Sequence, residues 1–159
     1  MSNATRLLSA FIGVLVLLLI VASSGRAAID EPYKTADGLQ VYLGIMPAAM
    51  LRAHPEQDHE REMHGGAPAD RDQYHVLVAV FDQVSGARIE DAEVEAKIAA
   101  LGLAGARKKL ETMEVVGTVT YGNFFEMPRG DLYRIRLWIA RRGSEKPVAV
   151  EFSYDLRGP

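Results

Sequence analysis

The sequence predicts an all-β protein, an immunoglobulin-like antiparallel β-sandwich of about seven strands. Three observations predict it. Apolar and polar residues alternate in several short segments, which is the pattern of half-buried strands. Turn residues such as Gly, Pro, Asp and Ser separate these segments at regular spacing. Little of the chain shows helical periodicity after its N-terminal end, so we expect packed strands to form the core.

The N-terminal segment, residues 1–27, predicts a targeting signal. Arg6 gives it a positive start, residues 11–22 are apolar or Gly, and Gly25 and Ala27 fit the −3 and −1 positions of a cleavage site. We therefore expect a signal-peptide helix and an exported, periplasmic protein. An uncleaved membrane anchor is the alternative, although the apolar stretch is shorter than the roughly 20 residues that span a bilayer.

The charge of the chain excludes some classes of partner. It has 18 basic and 21 acidic residues, a formal charge of −3. Removing residues 1–27 takes away two arginines and no acids, which leaves 16 basic and 21 acidic residues and a charge of −5. That balance argues against nucleic acid and against an anionic membrane surface, because both select basic proteins. The chain has no cysteine, so neither disulfides nor thiol chemistry contribute.

The domain is predicted to span residues 38–157, after a flexible polar leader at 28–37. Its first strand covers residues 39–45, where apolar side chains occupy every second position. Pro47 should end the pairing because it has no backbone N–H to donate. Residues 48–52 are expected to form one helical turn.

The remaining strands follow a long loop that spans residues 46–75. Residues 74–81 are apolar on both faces and predict a central strand that is covered on both sides. Further strands are predicted at 89–98, 110–116 (a short edge strand), 118–126, 133–139 and 148–155, and the basic residues 107–109 are assigned to a solvated loop. Turns are expected at 82–86, 128–131 and 142–147. Residues 99–106 are expected to form an irregular connection, with a short helix as the alternative.

The long loop holds the candidate functional residues. It contains all four histidines of the chain and three of its six methionines: His54, His59, His64, His75, Met46, Met50 and Met63. Imidazole nitrogen and thioether sulfur are ligands for copper and other borderline or soft metals, and no cysteine thiolate competes with them. We therefore predict a metal site within this set. Its centre is expected at Met63, His64 and His75, because His75 starts a strand that can hold it rigidly.

Each of these residues also has a structural explanation. The first three histidines can be solvated side chains of a polar loop, since their five-residue spacing does not place them on one helical face. His75 projects to the same face as Leu77 and can be a hydrogen-bonded, partly buried side chain. Met46 and Met50 can fill the core, which is the commoner role of methionine.

Two short motifs resemble those of exported domains. The run Ser85-Gly86-x-x-Ile89-x-x-Ala92-x-Val94, together with Gly130-x-x-Tyr133 before a later strand, resembles the YtkA-like and FixH-like domains. Those families are small immunoglobulin-like sandwiches outside the bacterial cytoplasmic membrane, and several are linked to copper handling. The resemblance implies the same fold and a role connected with metal.

The order of elements also resembles the periplasmic iron-transport protein family. In that family a leading strand, a Met/His loop, a hairpin and a His-Tyr-Gly segment surround a copper site. Here Tyr121-Gly122 occupies the place of the last segment, and Thr120 stands where the family has histidine. The resemblance implies a copper site that has one family ligand replaced.

The sequence contains none of the local signatures of serine hydrolases, zinc proteases or phosphate-binding enzymes, so we expect no enzymatic activity. The predicted function is that of an exported carrier or accessory factor in metal supply, with copper first and zinc or iron next. The expected partners are the metal ion and a membrane transporter or oxidase-assembly protein, and a homodimer is a further option. The alternative is a protein-interaction module that docks on a membrane-protein complex through Arg134, Arg136 and Trp138.

Overall fold

The structure is a computed structural model that describes residues 28–29, 31–52, 68–115 and 117–158. In this part of the chain it has nine strands and one short helix. The strands are β1 (Ala28–Ile29), β2 (Tyr33–Ala36), β3 (Leu39–Pro47), β4 (Gln73–Asp82), β5 (Glu93–Ala100), β6 (Ala106–Val115), β7 (Thr118–Glu126), β8 (Leu132–Ala140) and β9 (Val148–Asp155); helix α1 (Ala48–Arg52) follows β3. The predicted signal peptide lies outside the described residues.

The strands form two antiparallel sheets that share one strand. Their order is β1-β9-β8-β5-β6-β7-β4-β3-β2. The first half of β6 pairs with β5, and its second half, from Glu111, pairs with β7. We call β1-β9-β8-β5-β6 sheet one and β6-β7-β4-β3-β2 sheet two. This arrangement confirms the predicted all-β sandwich.

The main core lies between the two sheets. Each long strand buries every second side chain there, as the alternation in the sequence predicts. The largest of these fully buried side chains are Tyr121, Phe125, Phe152, Leu39, Leu110 and Met127. Met127 therefore packs in the core. No helix among the described residues is long and apolar enough to cross a membrane.

The segment predicted to be a flexible leader contributes two strands. β1 pairs with the end of β9, and β2 pairs with β3 along its whole length. A two-residue turn of Asp37 and Gly38 connects β2 to β3, with φ of 45° and 78°. Asp-Gly with two positive φ values is the usual turn of a tight hairpin. That dipeptide was the sequence signal for β2.

Strand β6 differs most from the prediction. The basic residues 107–109, assigned to a loop, belong to this ten-residue strand, which joins the two sheets and is not an edge. Their side chains are exposed while their backbone pairs with β5. Gly105 permits the turn before the strand, because its φ is +70° and a Cβ there would lie 2.2 Å from the Ile98 carbonyl oxygen.

Strand β5 starts later than predicted, at Glu93. Residues 89–92 are instead held by a side chain, because the Tyr121 hydroxyl donates to the Ile89 carbonyl at 2.9 Å and accepts from the Ala92 N–H at 3.0 Å. The ring lies in the core, and its burial raises the pKa of Tyr121. One hydroxyl thus satisfies two backbone groups that no neighbouring strand pairs.

Candidate metal centre

The outer face of sheet two contains a buried histidine. Along β4, Tyr74, Val76 and Val78 point into the core, so His75 points outward. An outward position in a sandwich normally meets water, yet His75 is 0% exposed. Burial of a polar side chain on this face requires a second layer above it.

Helix α1 supplies part of that layer. Ala48 and Leu51 of α1 form a small apolar cluster with Phe124 of β7, and Met46 packs against it. This cluster is separate from the main core. The Phe124 ring stacks on the His75 ring, with centroids 4.6 Å apart and an interplanar angle of 28°. The apolar residues around Pro47 therefore enclose one end of the outer face.

Gly122, on the neighbouring strand β7, has no side chain and allows the His75 ring and a buried methionine to approach each other. A Cβ at this position would lie 2.9 Å from His75 Nε2 and 2.7 Å from the Met113 Sδ. The two donor atoms therefore lie no more than about 5.6 Å apart, which is the sum of those distances. Met113 is 1% exposed, so both donors are buried, and they occupy the volume that a side chain in place of Gly122 would need.

A third candidate donor lies on the same face. Met46 is directly opposite His75 in the register of β3 and β4, so the two side chains share the outer face. Met46 is half-buried and packs against the cluster of α1 and Phe124. The described residues thus bring one imidazole and one thioether together, with a second thioether on the same face, and such donors suit copper better than hard cations.

Oxygen donors contribute less to this part of the chain. Among the residues that the structure describes, no three His, Asp or Glu side chains are grouped as a metal ion would need. Thr120 is opposite Met113 in the register of β6 and β7. Its Oγ1 is buried and has no hydrogen-bond partner in the described ranges. The site is therefore built from nitrogen and sulfur, with a neutral hydroxyl nearby.

The structure brings together only some of the residues predicted for the site. His75 and Met46 meet on the outer face, whereas Met50 on α1 is 57% exposed. The other predicted ligands lie outside the described residues: His54, His59, Met63 and His64. The chain leads from α1 to β4 through them.

The sequence prediction missed Met113. Two signals pointed to it: a glycine inside the strand 118–126, which marks a close approach, and an apolar residue at an outward position of the preceding strand. Neither could be used without the register of β6 on β7, which sets Met113 opposite Thr120. With β6 predicted as a short edge strand, that register was not available.

These features define a class: a small all-β sandwich that carries a buried nitrogen and sulfur donor set on the outer face of one sheet. No family model matches the chain, and no curated protein matches it. Solved structures do. The chain is similar to FetP of uropathogenic Escherichia coli, produced in the periplasm, with a TM-score of 0.59 and 13% identity over 85% of this chain and 99% of FetP.

Two further structures are similar to the chain. One is a DUF4426 family protein of Pseudomonas aeruginosa, with a TM-score of 0.57 and 13% identity over 84% of this chain and 96% of that one. The other is a copper-bound variant of the P19 protein of Campylobacter jejuni, with a TM-score of 0.58 and 12% identity over 84% and 98%. At these identities the likeness shows the fold. The predicted resemblance to the iron-transport copper-site family is thus confirmed at the level of architecture.

Proposed function

We propose that this chain is a metal-binding protein whose preferred ion is copper, and that it acts as a carrier or accessory factor in metal supply. One observation carries the proposal. The buried imidazole of His75 and the buried thioether of Met113 approach each other beside Gly122. A side chain larger than hydrogen at that position would need the volume that the two donors occupy.

The chemistry of the donors supports copper over other ions. Thioether sulfur is a soft ligand that binds zinc, iron and magnesium poorly, whereas imidazole suits copper in either oxidation state. Zinc and iron remain the next candidates if further ligands join from the loop. Similar folds include copper-bound variants of FetP and of the Campylobacter protein.

The proposal includes export and a non-enzymatic role. The sequence of residues 1–27 supports export to the periplasm. A site covered by Phe124 and α1 suits the retention and transfer of an ion better than turnover of a substrate, because the His75 side chain is fully buried. His54, His59, Met63 and His64 stay predicted as further ligands, from the segment that connects α1 to β4.

Metal titration tests the proposal. The exported chain is titrated with Cu(I) against a chromogenic Cu(I) chelator, and separately with Cu(II) and Zn(II). Stoichiometric binding of copper is expected, with Zn(II) weaker. Met113→Leu removes one sulfur at nearly constant volume and should weaken Cu(I) binding by about tenfold or more.

The matched control is Met127→Leu. Met127 is as buried as Met113 but lies in the main core, so its loss should leave copper affinity unchanged. His75→Gln should abolish the site, and His64→Ala tests the loop prediction separately. The melting temperature of each variant is recorded, so that lost binding is not confused with lost folding. Equal affinities for the two methionine variants would overturn the assignment of Met113.

The alternative function is docking on a membrane-protein partner through Arg134, Arg136 and Trp138. Some side chains of that face already contact other side chains of the same chain. The Arg107 guanidinium lies 4.2 Å above the Trp138 ring, and Glu151 pairs with both Arg134 and Arg136. Copper, zinc and iron binding weaker than about millimolar would favour this alternative, since a carrier needs much tighter binding than that.

A further inference from the structure

The turn between β5 and β6 exposes two leucines. Leu101 is 63% exposed and Leu103 is 70% exposed. Few large apolar side chains in the described residues are so exposed, and these two are the only such pair within a single turn. Gly102 and Gly105, both with positive φ, shape the turn that presents them. Neither leucine belongs to a core cluster of the described residues.

Cations surround the same turn. On the outer face of sheet one, Lys97 lies directly between Arg107 and Arg136 in the register of β6, β5 and β8. Like charges placed opposite each other destabilise a sheet. Arg107 pairs with Glu95, and Arg136 shares Glu151 with Arg134. No carboxylate of the described residues is within ion-pair distance of Lys97.

Leu103 and three of the cations line one depression. A cavity of about 130 Å³ is bordered by Lys97, Leu103, Ala104, Arg134 and Arg136. The four basic residues Lys97, Arg107, Arg134 and Arg136 are accompanied by two acids, Glu95 and Glu151, so this face is locally cationic. The overall acidic charge, which argued against an anionic surface as partner, does not describe this region.

The turn lies at the end of the sandwich where the N-terminal segment enters. The Leu101 N–H donates to the Leu132 carbonyl at 2.9 Å. Leu132 pairs with Asp155, and Asp155 pairs with Ala28. Two strands, β8 and β9, therefore lie between Leu101 and Ala28, and the three interstrand spacings amount to roughly 15 Å. In the uncleaved chain the apolar residues 11–22 precede Ala28 by only a few positions.

We propose that the β5–β6 turn is a membrane-contact surface for an anionic phospholipid bilayer. Leu101 and Leu103 enter the interfacial region, and Lys97, Arg134 and Arg136 contact lipid phosphates. Apolar side chains flanked by cations bind such surfaces by burial and charge together. The surface is independent of the metal site, which lies on the other sheet.

Site-specific quenching tests this proposal on the full chain reconstituted into vesicles. The chain has no cysteine, so Ala104→Cys gives one attachment point for an environment-sensitive fluorophore and leaves both leucines in place. Val84→Cys is the matched control, because Val84 is 94% exposed in the turn at the opposite end of the sandwich. Nitroxide-labelled lipids serve as quenchers in vesicles with phosphatidylglycerol or with phosphatidylcholine alone.

We expect quenching of the Ala104 probe and not of the Val84 probe, with loss of quenching in vesicles of phosphatidylcholine alone. Adding Leu101→Ser with Leu103→Ser, or adding Lys97→Glu, should reduce it to the Val84 level, whereas Lys146→Glu should not. Equal quenching in both lipids, or at both probes, overturns the proposal. Loss of quenching on adding polyglutamate at low concentration would indicate an acidic protein partner, and a signal that depends on protein density alone would indicate a second copy. Either outcome also overturns it.

Discussion

The outer faces of the two sheets differ in what covers their outward-pointing side chains. On sheet one the outward positions are charged, and their cations and carboxylates pair across strands, as Glu151 does with Arg134 and Arg136. On sheet two the outward positions near α1 carry His75 and Phe124, which are buried, and Met46, which is half-buried. The outer face of sheet one is covered by water, and one end of the outer face of sheet two is covered by protein.

This difference shows which face can hold functional side chains in a fixed geometry. Charged pairs in water contribute little free energy and tolerate substitution. A buried imidazole against an aromatic ring and a thioether depends on every neighbouring atom, because the packed interior has few voids and a low dielectric. The sensitivity of a position to substitution should therefore separate the two faces more clearly than its residue type does.

The largest expected effect contrasts one aromatic side chain on each face. The Phe124 ring stacks on His75 and is part of the small apolar cluster with α1. Phe124→Ala removes this ring. We expect a loss of about 3–5 kcal/mol in the free energy of unfolding. Trp138 is half-buried on the outer face of sheet one, and Trp138→Ala should lower the free energy of unfolding by only about 1–2 kcal/mol. Urea unfolding of both variants measures the difference; similar losses would show that α1 does not protect the outer face of sheet two.

A second contrast uses two glycines on the outer face of sheet two. Gly122→Ala places a Cβ within 3 Å of the Met113 Sδ and of His75 Nε2, and it should destabilise the fold by about 1–3 kcal/mol. Gly44→Ala places a Cβ 3.7 Å from the Leu77 Cβ, an ordinary contact. It should be neutral or slightly stabilising, because glycine is costly inside a strand. Equal melting temperatures for the two variants would contradict the close approach at Gly122.

The stability of the core between the two sheets should depend on alkaline pH. Burial, and then the nearby Asp131 carboxylate, raise the pKa of Tyr133 to about 12, and its hydroxyl donates to the Pro128 carbonyl at 2.7 Å. In the unfolded chain a tyrosine ionises near pH 10. Between about pH 10 and 12 the unfolded state therefore loses the proton first, and stability should fall as pH rises.

Unfolding midpoints measured across that range test this expectation. Tyr133→Phe should flatten the decline without removing it, since burial also raises the pKa values of Tyr121 and Tyr154. If the stability of Tyr133→Phe declines as steeply with pH as that of the parent, ionisation of Tyr133 does not cause the decline.

The smallest effect is expected on the charged face. Glu151→Gln removes the shared partner of Arg134 and Arg136, whose separations from it are 3.2 and 2.8 Å. These side chains are about half exposed, so the loss should be at most about 1 kcal/mol and should shrink as salt is added. A loss as large as that of Gly122→Ala would mean that the ionic network, and not the packed face, dominates stability.

Local patterns of the sequence are enough to predict much of the fold. Strand β7 and helix α1 were predicted with their observed bounds, because alternation of side chains and the effect of Pro47 act within a few residues. The leader and β6 were predicted wrongly for a related reason. Their apolar content is low, and only pairing with neighbouring strands keeps such segments extended.

The candidate site divides in the same way. The sequence by itself identified His75 and Met46 as candidate donors, because residue type states which atoms can bind a soft metal. Only the tertiary structure decided that Met113 belongs with them and that Gly122 allows its approach to His75, since both depend on the register of β6, β7 and β4. The same holds for Leu103 and Arg134, which border one depression although they are distant along the chain. Register couples residues distant along the chain, and no local pattern encodes it.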